Sequence, residues 1–126
     1  EHHDLAWLER HHPGDLSQIK NYCRITQDIT PRLLAAAHAN ASSSGAAFAV
    51  QVGDLVEGLC GSEELAVRQN AESVAFLDTA LPGLPFLFTK GNHDITGDGA
   101  QEAFNSVFHP FLERQLRTLD AQAARH

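Results

Sequence analysis

At 126 residues, with 43% apolar and 20% charged side chains, the chain has material for one hydrophobic core but not for two. That balance fits a soluble globular domain and excludes disorder, and no apolar run nears the roughly 20 residues that span a bilayer. A formal charge of −7 makes a nucleic-acid backbone or an anionic membrane a poor partner, yet a bound dication can reverse the field locally, so a small phosphorylated substrate stays open.

Residues 1–14 read as an irregular lead-in, broken by His11-His12-Pro13-Gly14. From Asp15 the pattern turns helical, with Ile19, Tyr22, Ile29 and Leu33 near one face. Thr30-Pro31 interrupts it and predicts a restart, with Thr as N-cap and Pro first in the new helix. The serine-rich Ala41–Gly45 stretch is expected to be a loop.

"AAFAVQV" (Ala46 to Val52) reads as a strand apolar on both faces, as in a parallel sheet, and it ends at Gly53-Asp54. Ser62 can cap the next helix, with Glu63 and Glu64 in its first turn. Val67, Ala71, Val74, Leu77 and Leu81 form its apolar stripe, and Pro82-Gly83 stops it. "PFLFT" (Pro85 to Thr89) is the second strand, followed by Gly91. Asp98 and Gln101 have capping-box spacing for a last helix, Gly99 to Ala121, with Ala103, Phe104, Val107 and Phe111 inward and a possible kink at His109-Pro110.

The predicted order over 15–126 is helix, strand, helix, strand, helix, in a single domain. Two strands joined by a helix make a βαβ unit with parallel strands, so both following loops emerge on one edge. Open α/β sheets bind ligands along that edge. Asp54 and Asn92 should therefore share a rim.

"VGDLVEG" after one strand and "KGNHD" after the next together resemble two motifs of the calcineurin-like metallophosphoesterases. The resemblance covers about Ala46 to Phe104. It implies an α/β fold, the central βαβ portion of an α/β/β/α sandwich, and a phosphatase or phosphodiesterase acting on a phosphorylated small molecule or protein. It implies two metal ions, of manganese, iron or zinc, that activate a hydroxide for in-line attack at phosphorus. On this basis Asp54 is expected to bridge the metals, Asn92 to ligate one through its amide oxygen, and His93 to protonate the leaving alkoxide. Asp94 is expected to orient His93. Gly53 and Gly91 would permit the turns, and Glu57 would support the site from behind, paired with an arginine.

The match is partial. The family's Asp-x-His and Gly-His-x-His motifs are absent, and Glu57 stands where the purple acid phosphatase pattern has tyrosine. Asp54 and Asn92 alone cannot hold two ions that each want roughly four to six ligands. With no methionine anywhere, the expectation is a piece of a longer phosphoesterase, inactive alone, or else a degenerate, non-catalytic α/β binding module of the same superfamily. His2, His3, His11 and His12 are expected to face solvent, and His38 and His109 to be structural. Cys23 and Cys60 have no metal-pair spacing and read as reduced thiols, which suits the cytoplasm without requiring it.

Overall fold

The computed structural model describes residues 3–125; the expectation for His2 lies outside them. Five helices and two short strands follow in the order α1 (Leu5–His11), α2 (Pro13–Asp28), α3 (Thr30–Ser44), β1 (Ala49–Gln51), α4 (Glu63–Ala80), β2 (Phe86–Phe88) and α5 (Ala100–Ala123). A 3-10 turn, His93–Ile95, sits between β2 and α5. Among the described residues no helix is long and apolar enough to cross a membrane.

The expected central βαβ portion of an α/β sandwich is not the architecture. The described residues are 67% helical, and the sheet among them is one parallel pair of three-residue strands. The apolar runs at 46–52 and 85–89 supply too little strand to build a layer. On β1, Val50 is 60% exposed, with Val52 beyond it at 82%, so the outer face expected to be covered is open.

The amino-terminal third is helical for local reasons. Asp4 Oδ1 accepts the Trp7 N–H at 2.8 Å and caps α1 where an irregular lead-in was expected. Pro13 then opens α2 instead of breaking the chain, because its missing N–H costs nothing in a first turn. The serine loop is also helix. The hydroxyls of Ser42, Ser43 and Ser44 donate back to the carbonyls of His38, Asn40 and Ala41, and Gly45 ends α3 at a φ of 70°.

The main core lies between the sheet, α4 and α5. Phe88 is its hub, with ring centroids 6.2, 5.3 and 6.0 Å from those of Phe104, Phe108 and Phe111. Ser62 caps α4 as expected, its hydroxyl accepting the Leu65 N–H at 3.3 Å. The buried face of α4, however, runs through Ala66, Asn70 and Leu77, while Val67 and Ala71 turn outward. The predicted capping box of α5 does not form. Gly99 occupies the cap in the left-handed region, and Gln101 is engaged by Lys90 Nζ and Asn105. Leu8, Ile19 and Leu59 make a second small core that seats α1 and α2 against the loop after β1.

Candidate functional site

Parallel pairing of Ala49 with Phe86 through Gln51 with Phe88 brings the carboxyl ends of β1 and β2 side by side. The loops that follow cross at main-chain contact. A Cβ on Gly53, whose φ is 111°, would lie 2.7 Å from the Gly91 nitrogen, and one on Gly91 would collide with the Asp54 carboxylate and main-chain nitrogen. Only glycine at both positions allows this approach. Asp54 itself takes a φ of 55°, the one non-glycine residue with a positive φ among those described, which turns its side chain across to the second loop.

Asp94 fastens the crossing. Its carboxylate is fully buried and accepts three main-chain N–H groups: Asp54 at 3.0 Å and Gly91 at 2.7 Å on Oδ2, and Val56 at 2.9 Å on Oδ1. One side chain therefore holds both loops. Asp54 Oδ1 returns the connection by accepting the His93 N–H at 3.1 Å, and the Gly58 N–H donates to the His93 carbonyl at 2.8 Å.

His93 is not oriented by Asp94, which faces inward. Its Nδ1–H donates to Glu57 Oε2 at 2.8 Å, leaving Nε2 for a ligand. The Glu57 hydrogen bond raises the His93 pKa above its ordinary 6.5; partial burial opposes this, and the charges of Glu57, Asp54 and Asp94 add to it. Glu57 is thus the orienting carboxylate, with histidine and not arginine as its partner. Its position three residues after Asp54 was the available signal.

Asn92 is exposed at the start of the 3-10 turn, and its side chain makes no capping hydrogen bond to that turn. The carbonyl of Asn92 is fixed by the Thr96 hydroxyl at 2.8 Å. Lys90 bonds Gln101 on the surface. Among the expected solvent-facing histidines, His3 is instead buried, with Nδ1 against the Leu59 carbonyl at 3.1 Å and Nε2 against Gln69 at 3.2 Å. His38 is structural, as expected, its Nε2 meeting the Pro82 carbonyl at 3.0 Å.

The rim opens into a cavity of about 520 Å³ bordered by α2 and α4, with Asp54, Glu57 and His93 among its lining residues. Asp54 lines this cavity, whereas Asn92, expected to ligate a metal with it, is not among the lining residues. Among the described residues no group of three or more His, Cys, Asp or Glu side chains is placed to hold a metal ion. These residues alone therefore do not make a closed two-metal site. Comparison with family models, with curated proteins and with solved structures found no match to this chain.

Proposed function

We propose that the rim of Asp54, Asn92 and His93 is the phosphate-facing corner of a metal-dependent phosphoester hydrolase. The observation that supports this is His93, a histidine on an exposed rim held between two carboxylates, with its ring bonded to Glu57 and its main chain to Asp54. The Glu57 hydrogen bond raises the His93 pKa and so favours the protonated imidazole that a general acid for a leaving alkoxide needs. Asp54 and Asn92 would offer oxygens toward such metal ions. Those ions would supply charge neutralisation at phosphorus and an activated hydroxide.

In a protein containing this segment, about two manganese, iron or zinc ions per chain are expected. Hydrolysis of 4-nitrophenyl phosphate should fall at least about 100-fold on Asp54→Asn or His93→Ala. One ion or none, with turnover indifferent to both substitutions, refutes the proposal. A second reading is a non-catalytic binding module. Saturable uptake of metal or phosphate without turnover in that protein would select it.

A further inference from the structure

We propose that His3 is a positioning residue for the rim: from the amino-terminal segment it fixes the loop at 57–60, and through Glu57 it sets which ring nitrogen His93 presents to a ligand. The inference rests on the proposed function only for what that ligand is; the coupling itself is a matter of hydrogen bonds.

The ring of His3 is held on both sides. Its Nδ1 meets the Leu59 carbonyl at 3.1 Å, and a carbonyl only accepts, so that nitrogen carries the proton. Its Nε2 then has a lone pair and accepts the Gln69 side-chain NH2 at 3.2 Å. With 7% of its surface exposed, a neutral imidazole set between an acceptor and a donor has one tautomer open to it. Gln69 is fixed in turn, since its Oε1 takes the Cys60 thiol at 3.4 Å.

The main chain continues the attachment. The Asp4 N–H donates to the Cys60 carbonyl at 2.8 Å, directly after the Leu59 contact. A Cβ on Gly61 would lie 3.0 Å from Asp4 Cβ and 3.4 Å from the Trp7 ring, so the segment lies on the loop without a gap. Leu8 and Leu59 complete the contact in the small second core.

From Leu59 the path runs to the rim. The Leu59 N–H donates to Glu57 Oε1 at 3.3 Å, and Oε2 of the same carboxylate takes the His93 Nδ1–H at 2.8 Å. The Gly58 N–H holds the His93 carbonyl at 2.8 Å, so this loop grips both the ring and the main chain of His93. His3 thus pins the carbonyl of the residue whose N–H aims Glu57. Without that bond Leu59 can rotate, Glu57 loses a donor that orients it, and the neutral His93 ring is released to its Nε2–H form. With the bond, Nδ1 stays with Glu57 and Nε2 is the nitrogen that faces a ligand.

The test is nuclear magnetic resonance of nitrogen-labelled protein without added metal, at a pH where His93 is neutral. Long-range proton–nitrogen spectra read the tautomer, and amide exchange reads the loop. The parent should show His93 as Nδ1–H. His3→Leu should shift it toward Nε2–H and quicken exchange at the Gly58 and Leu59 amides by roughly 10-fold. His3→Asn, whose side-chain NH2 can replace Nδ1–H toward Leu59, should restore both readouts. Gln69→Ala removes only the contact from α4 and should give a smaller shift in the same direction, which keeps the test decisive where His3→Leu fails to fold. Leu112→Ala weakens the main core away from this loop and should leave the tautomer as in the parent, which separates positioning from loss of stability. A parent with Nδ1–H and a His3→Leu protein unchanged in tautomer and exchange overturns the positioning role and leaves the rim reading standing. A parent with Nε2–H removes the Glu57 bond and overturns both.

Discussion

Asp94→Ala should loosen the whole rim, because that carboxylate is the common acceptor for both loops. Of its three N–H donors, Val56 is buried and the other two are partly reached by water. Removing the acceptor leaves the Val56 N–H at a cost of about 2 kcal/mol and the Asp54 and Gly91 groups at about 1 kcal/mol each, or about 4 kcal/mol together. With a urea m-value near ~1.5 kcal/mol/M, the unfolding midpoint should drop by about 2.7 M. Asp94→Asn keeps one oxygen for the Asp54 and Gly91 pair but turns an NH2 group toward Val56, so about half that loss is expected. Urea titration followed by circular dichroism gives the stability, and amide exchange gives the location. Exchange should quicken at Asp54, Val56 and Gly91 before it does in α5. Stability within about 1 kcal/mol of the parent, with unchanged exchange at those three amides, would refute the stapling role.

Gly91→Ala should cost about 1–3 kcal/mol by calorimetry, since the new methyl must displace Asp54 main chain and carboxylate together; a neutral result would mean the loops do not cross this closely. The raised His93 pKa makes the imidazolium a stabilising species, so its contribution is complete below pH 6.5 and fades as pH climbs through the higher folded value. Glu57→Gln should bring the His93 titration, read by NMR, back toward 6.5, and an unmoved curve would exclude Glu57 as the cause. Burial, reinforced by Glu57 and Cys23, pushes the Cys60 thiol up to about 12. In the folded protein iodoacetamide should therefore modify exposed Cys23 and reach Cys60 only on unfolding, as mass spectrometry of the two peptides would show.

The rim was legible in the sequence where backbone chemistry forces a residue type. Gly53 and Gly91 sit where a Cβ cannot, and a glycine directly before a polar block after each apolar run marks such a crossing. What each carboxylate does was not legible. Asp94 follows His93 in sequence, but in a 3-10 turn adjacent side chains diverge, so Asp94 goes inward to the amides while Glu57 reaches the ring from the other loop. The buried face of α4 escaped the apolar pattern because Asn70 and Ala66 hold positions that periodicity assigns to large apolar groups. The fold class failed for a similar reason. Short apolar runs look alike whether they belong to a full layer or to a three-residue pair, and the serines at 42–44 resemble a loop until their hydroxyls turn back on the helix.

The open side of β1 has a consequence for behaviour in solution. The bonds from Ala49 to Pro85 and from Thr89 to Gln51 face β2, which turns the Val50 amide and carbonyl the other way, while the far side of β2 is met by Gln115. Val50 thus offers an unpaired template flanked by exposed Phe48 and Val52. Two copies approaching edge to edge each carry a formal charge of −7, and that repulsion is their main safeguard. Salt removes it, since the screening length shrinks from about 30 Å at 0.01 M to about 8 Å at 0.15 M. Self-association should accordingly grow as ionic strength rises, the reverse of a contact held by ion pairs, and a lysine at position 50 should abolish it.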